Sequence, residues 1–441
     1  MKAKRAMDLA RSAGRRARRN GWADTLRTAA RRGSERAGAL LGWDEPALPL
    51  NGQDVFTGAA VQTVPGRSVD RMHVGIVCFP PAAGSGGHTT LFRMVRGLEV
   101  RGHRCTLVLY DPAGGEVSWH ETTIRRAWPD LQAGIASADA GFGGYDAVMA
   151  SSWETAHVVA TRNREAVPFY FIQDYEPFFY AHGYQYELAQ STYALGLKNI
   201  ALGGMVATEL RRQIGVEPDL EVPFGCDTDT YRLLDGAGDA PGLRRGVVYY
   251  AKRTVDRRGY LLAKAALERF HALRPDQPIH IVGDTVRGWN TPAIQHGSVP
   301  PAELNRIYNG AIAGLAMSFT NVSLVPGELL ASGTVPVLNR LAGPRLDLNS
   351  PDAVWTSGHP EALARALAEI VDADDLTVAE RARRVAEQPR PTWAAAQTEF
   401  ADFLEETVRQ GTGRQGTGRV AVTGAPAGSF RASGNPVKEL R

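Results

Sequence analysis

Only three cysteines occur in the 441 residues, Cys78, Cys105 and Cys226, spread far apart. Two stand in apolar, strand-like runs, so the expectation is buried free thiols in a reducing compartment, with no disulfide and no cysteine-ligated metal. No apolar run approaches the roughly 20 residues of a membrane span. No apolar segment follows the basic start either, so its arginines are not read as a secretory leader, and a cytoplasmic protein is expected. Basic residues come without a nucleic-acid recognition module, which excludes nucleic acid as the expected partner. What is present is a hydrophobic fraction of 44%, ordinary for a globular chain. The length has room for two domains and tails.

A net charge of +3 hides an asymmetry. Residues 1–40 hold 12 Lys/Arg against 3 Asp/Glu, and residues 409–441 hold 6 against 1, so a mildly acidic body carries basic ends. The arm over 1–40 has two readings: a solvated extension, or a peripheral contact with the anionic inner face of the membrane, where each basic side chain adds about 1 kcal/mol. Residues 41–69, with Pro46, Pro49 and Pro65, read as a linker draped over the first domain; together 1–69 form the arm and linker. Residues 409–441, with a tandem Gln-Gly-Thr-Gly-Arg, are low in complexity and expected to be disordered.

The first domain, 70–240, opens with a strand over His73–Phe79, a Gly-rich turn over Pro80–Gly87 and a helix over His88–Val100 with Leu91, Val95 and Leu98 on one face. A strand over Cys105–Tyr110 completes a βαβ beginning. Gly86, Gly87 and His88 thus stand at a helix N-terminus, where free N–H groups favour phosphates or sugar hydroxyls. The pattern is not G-x-G-x-x-G, and tight packing explains a Gly-rich turn equally well. Asp146–Ala150 is another strand. Ser151-Ser152-Trp153-Glu154 after it has capping-box spacing, which makes Glu154 structural. At the end of the strand Pro168–Gln173 stand Asp174, Tyr175 and Glu176, then Phe178, Phe179 and Tyr180. Carboxylates beside rings suit a sugar, whose hydroxyls and C–H faces they match. Asp227-Thr228-Asp229 has a metal-binding look.

The second domain, 241–390, begins with a strand over Val247–Ala251. The loop behind it holds Lys252, Arg253, Arg257 and Arg258, a positive site of diphosphate size. Tyr260–Phe270 is helical and Ile279–Val282 a strand. Ala311–Met317 reads as a strand buried on both faces, Gly327–Ser332 as about two helical turns, and Val335, Val337 and Leu338 as the next strand. Ligands of open α/β sheets bind where strands end and helices begin. Glu328 stands at such a point; complementing the helix dipole is its blander role. A helix over Trp393–Val408 follows, within a terminal segment 391–408.

The string Pro326-Gly327-Glu328-Leu329-Leu330-Ala331-Ser332-Gly333-Thr334-Val335-Pro336-Val337 resembles the P-x-E-A-x-A-x-G-x-P-V segment of family 4 glycosyltransferases. Phe169 to Pro177 and Gly86-Gly87-His88-Thr89-Thr90 are most similar to WsaF-type rhamnosyltransferases of bacterial surface polysaccharide synthesis. The resemblance implies the α/β GT-B fold, two Rossmann-like βαβ domains facing each other across a cleft, with the terminal helix returning to the first. It implies a nucleotide-sugar donor, dTDP-β-L-rhamnose, a glycan or lipid-linked glycan acceptor, retention of configuration, no metal and no further cofactor. Glu328 would hold the ribose, and Lys252 with Arg257, joined by Arg253, the diphosphate. His296-Gly297-Ser298-Val299-Pro300 would meet the nucleobase through Gly297 and Val299, and Asn321 and Ser323 would complete the donor site. The candidates for catalysis are Asp174 and His88 from the first domain together with Glu328. The chain departs from the family at Thr320, where a second glutamate facing the donor sugar is usual. Two other functions remain: a non-catalytic nucleotide- or sugar-binding scaffold, and a sugar-nucleotide epimerase needing no acceptor.

Overall fold

The computed structural model describes residues 48–58, 61–68, 70–236, 244–341 and 343–412. The chain divides into two compact units, Met1–Gln53 and Asp54–Arg441, and among the described residues every strand belongs to the second. The basic arm expected over 1–40 and the tail from 413 onward lie outside the described residues.

Two parallel sheets form two lobes. In the first, the strands are β1 (His73–Cys78), β2 (Arg104–Leu109), β3 (Gly134–Ser137), β4 (Ala147–Ala150), β5 (Val167–Ile172), β6 (Lys198–Leu202) and β7 (Leu220–Val222), in the order β3-β2-β1-β4-β5-β6-β7. All six residues of β5 are buried, as a parallel strand covered on both faces requires. The connecting helices are α1 (Gly86–Val100), α2 (Val117–Ala127), α3 (Trp153–Arg162), α4 (Tyr184–Ser191) and α5 (Gly204–Ile214). The second lobe has β8 (Val247–Ala251), β9 (Ile279–Gly283), β10 (Ile294–Gly297), β11 (Ala313–Leu315), β12 (Val335–Asn339) and β13 (Val354–Thr356), in the order β10-β9-β8-β11-β12-β13. Its helices are α6 (Tyr260–Leu273), α7 (Pro301–Gly310), α8 (Val325–Ala331), α9 (Pro360–Val371) and α10 (Asp375–Glu387); α11 (Trp393–Gln410) is the last described helix. Strand order reverses between β1 and β4 in one lobe and between β8 and β11 in the other. Such switch points open crevices at the carboxyl ends of the strands, and here both open onto one cleft.

Local chemistry sets the element ends. Ser85 caps α1 by accepting the His88 amide. The capping box of α3 lies one residue later than its expected position: Ser152 accepts the Thr155 amide and Thr155 reciprocates, so Glu154 is not its partner. The strand expected over Ala311–Met317 shortens to three residues, because the chain after Leu315 turns into the cleft wall.

α11 returns to the first lobe. Trp393, Ala396, Phe400, Leu404 and Val408 enter that lobe's core, with Phe400 edge-on to Phe171 at 5.6 Å. A Cβ on Gly97 of α1 would stand 2.8 Å from Gln397, so only glycine lets α1 and α11 approach this closely. The helix reaches Gln410, and Gly411 and Thr412 pair with Pro65 and Val64. Residues 409–412, expected to be disordered, are therefore part of the fold. The two crossings between lobes run side by side, joined where the Cys226 amide donates to Pro391 O at 2.9 Å.

Candidate functional site

The cleft between the lobes holds about 1000 Å³. Its second-lobe wall is built from the loops behind β8 and β11. Lys252 lines it, its ammonium 5.3 Å from the Tyr250 ring centre. Arg257 lines it too, and its guanidinium lies 4.1 Å over Phe179 of the first lobe. Arg253 turns away: it is exposed, and its guanidinium donates to Thr285 O at 3.0 Å. Arg258 is the sequestered member of the loop. It donates to Ser318 Oγ at 2.6 Å and Asn321 Oδ1 at 3.0 Å, and burial pulls it down to about 10. Asn321 donates in turn to Gln173 O at 3.0 Å, so its side chain ties the lobes together.

Glu328 sits in the first turn of α8 and lines the cleft. The surroundings are enclosed enough that burial pushes its carboxyl up to about 7; Arg93 opposes this and Asp227 reinforces it. Ser323, on the same wall, has φ 62°, the only left-handed non-glycine among the described residues. Ser298 and Val299 line the cleft, whereas Gly297 ends β10 behind them.

On the first lobe, Gly86, Gly87 and His88 line the wall at the start of α1. His88 Nε2 lies 3.1 Å from Phe79 O, so it carries the proton, and Nδ1 accepts the Ser85 hydroxyl at 2.8 Å. Burial lowers its pKa, keeping the ring neutral. Both ring nitrogens fasten the Gly-rich turn in this arrangement. Asp174, at the end of β5, is buried, and its Oδ2 accepts the Thr320 hydroxyl of the opposite lobe at 2.7 Å. Burial raises its pKa, while Arg258, Thr320 and Arg257 act in the other direction. Behind it, Glu176 accepts the Trp153 amide at 2.5 Å and the Tyr170 hydroxyl at 3.1 Å. Burial and then Glu154 push the Glu176 carboxyl well up.

The Asp227-Thr228-Asp229 segment serves the crossing: Asp227 pairs with Arg93 at 2.9 Å and accepts the Thr230 amide at 3.2 Å. Among the described residues, no three or more His, Cys, Asp or Glu gather as a metal would need. All three cysteines are free thiols, each pushed up to about 12 by burial. The structure thus brings Gly86, Gly87, His88, Asp174, Lys252, Arg257, Val299, Asn321, Ser323 and Glu328 to one cleft and leaves Arg253 and Gly297 off its wall. The sequence reading missed Arg93 and the role of Thr320. Nothing local distinguishes an arginine inside α1, and Thr320 acquires meaning only from a residue 146 positions away.

Comparison with known proteins agrees with this fold. Residues 141–204 match the family model described as WsaF, N-terminal domain. The O-antigen biosynthesis protein RfbC of Myxococcus xanthus is 28% identical over 230 residues, 49% of this chain and 16% of that relative, so the chain spans a small part of its length. Sucrose-phosphate synthase of Thermosynechococcus elongatus superposes with TM-score 0.57 at 16% identity, covering 76% of this chain and 99% of that one. Anabaena HepE, solved with UDP-glucose, gives 0.55 at 14% identity over 76% and 100%. The chain has the GT-B fold, and the resemblance to WsaF-type proteins holds over the segment containing β5 and Asp174.

Proposed function

We propose that this protein is a glycosyltransferase of surface-polysaccharide synthesis, taking a sugar from a nucleotide diphosphate and joining it to a glycan or lipid-linked glycan hydroxyl. The observation that carries the reading is the convergence of Glu328, Lys252 and Arg257 on one cleft wall, facing Gly86–His88 and Asp174 on the other. In the reaction, the bond from the anomeric carbon to the diphosphate oxygen breaks and a bond to the acceptor oxygen forms. The acceptor proton and the nucleoside diphosphate leave. Charge develops on the departing diphosphate, where Lys252 and Arg257 stand to stabilise it. Glu328, once ionised, accepts hydrogen bonds from the ribose hydroxyls. A cleft closed over both substrates would keep water from competing with the acceptor.

The finer reading is transfer of rhamnose from dTDP-β-L-rhamnose with retention and without a metal, by a cytoplasmic enzyme in peripheral contact with the membrane. It is supported by the match of residues 141–204 to the WsaF N-terminal domain. Among the described residues, no helix is long and apolar enough to cross a membrane.

Thermal shift with a panel of nucleotides and nucleotide sugars, with and without EDTA, tests the reading. A ligand at about 100 times its dissociation constant stabilises by about 2.7 kcal/mol. Stabilisation by dTDP and dTDP-rhamnose, indifferent to EDTA, is the expected outcome. UDP or GDP sugars acting instead would keep the transferase and discard rhamnose. Silence across the panel points to the scaffold, and interconversion of the nucleotide sugar without acceptor to the epimerase.

A further inference from the structure

Two buried polar atoms at the meeting of the lobes have no hydrogen-bond partner among the described residues: Asp174 Oδ1 and Arg257 Nε. The Thr320 hydroxyl occupies Asp174 Oδ2 at 2.7 Å, and Arg257 Nε lies 3.9 Å from that same oxygen, beyond hydrogen-bond reach. The Tyr175 amide also favours the ionised carboxylate. Both residues line the cleft. One of the unpartnered atoms can only accept a hydrogen bond and the other can only donate one. A group that satisfies both at once must itself donate and accept, and a hydroxyl does so.

We infer that Asp174, fastened by Thr320 and flanked by Arg257, forms a seat for one hydroxyl of the transferred sugar, assembled from both lobes. The inference rests on the glycosyltransferase reading and deepens it. Thr320 is the positioning residue: its hydroxyl takes one carboxylate oxygen and leaves the other for the ligand. The Arg257 guanidinium, fixed over the Phe179 ring at 4.1 Å, turns its Nε–H toward the same carboxylate. Because solvent reaches neither unpartnered atom, the hydroxyl is enclosed as the lobes come together and is not admitted afterwards. A carboxyl-bearing sugar placed against Asp174 would meet like charge, so the seat selects neutral hydroxylated sugars.

Calorimetric titration of dTDP against dTDP-β-L-rhamnose, and of UDP against UDP-glucose, tests this in the full chain. For the pair that binds, D174N is expected to weaken the nucleotide sugar by at least about tenfold, the scale of a charged hydrogen bond, while leaving the bare diphosphate unchanged. T320V should do the same to a smaller extent. The unsubstituted protein should lose a similar factor toward a donor deoxygenated at one sugar position, and D174N should be indifferent to that deletion. Intact diphosphate binding reports that each variant is folded. Equal weakening of diphosphate and nucleotide sugar, or no effect of D174N on either, would overturn the seat while leaving the transferase. Failure of the unsubstituted protein to bind any diphosphate would overturn the transferase reading and the seat with it.

Discussion

Arg93 of α1 pairs with Asp227 on the first crossing between the lobes at 2.9 Å, and its guanidinium lies 5.4 Å over Trp393, which begins α11 after the second crossing. One side chain thus touches both connections of the hinge while lining the cleft that holds Glu328. Of the pair, Arg93 favours the ionised Glu328 carboxyl and Asp227 disfavours it. Cys226, Tyr231, Tyr250 and Tyr308 are the other titratable groups coupled to Glu328, and these stay neutral at physiological pH.

That coupling fixes the direction of the pH dependence of ligand binding. With the Glu328 carboxyl at about 7, the proposed ribose contact predicts that nucleotide affinity rises as pH climbs through neutrality, since an ionised carboxylate accepts with both oxygens. R93Q removes the favourable charge and should move the midpoint of that rise to higher pH. D227N should move it lower. Titrations at a series of pH values distinguish these opposite shifts from general loosening of the hinge, which would weaken binding without displacing the midpoint.

Asp347 reaches from the second lobe to the start of α5, where its Oδ1 accepts the Met205 amide at 3.4 Å. A Cβ on Gly203, at φ 87°, would stand 2.5 Å from that oxygen, so the contact requires glycine. Burial pushes the Asp347 carboxyl up to about 7 from an ordinary 3.8. The folded state therefore holds a proton that the unfolded chain releases, and stability from this group is present at low pH and declines as pH rises from about 4 to about 7, by at most about 1.4 kcal/mol per pH unit. D347N should flatten the fall of Tm over that window. An unchanged slope would mean that Asp347 is ionised throughout.

Much of this arrangement was written locally. Buried strands such as Phe169–Ile172 are continuous apolar runs, and the turn after Ala331 ends with Gly333 at φ 75°, so both lobes and the placement of Glu328 could be read from periodicity and punctuation. In the cationic loop after β8, Lys252 and Arg257 were legible from the family resemblance, but the turning away of Arg253 was not. Whether an arginine faces the cleft, as Arg257 does, or bonds a neighbouring carbonyl, as Arg253 does, depends on the Thr285 backbone brought alongside by β9. The contact of Asp174 with Thr320 was illegible for the same reason: it exists only when two lobes meet.

Phe400 shows that α11 belongs energetically to the first lobe. It is fully buried between Phe171 and the rest of that core. F400A should destabilise by about 3–5 kcal/mol, from lost transfer free energy and the cavity left behind. No residue of α11 belongs to the apolar clusters of the second lobe. Denaturant unfolding should accordingly show the first lobe melting earlier, with diphosphate binding retained under conditions where the variant remains folded.

The cationic loop gives the sharpest separation of roles. Lys252 and Arg257 line the cleft, and truncating either should weaken a nucleoside diphosphate by about tenfold or more, the cost of one charge-assisted hydrogen bond. Arg253, expected to join them at the diphosphate, is exposed and engaged with Thr285. R253A should therefore leave diphosphate affinity within about twofold, the range of an exposed charge acting through solvent. Calorimetric titration of the three alanine variants checks the ordering. A loss at Arg253 equal to that at Lys252 would mean that the loop rearranges around the ligand, with Arg253 swinging from Thr285 onto the diphosphate.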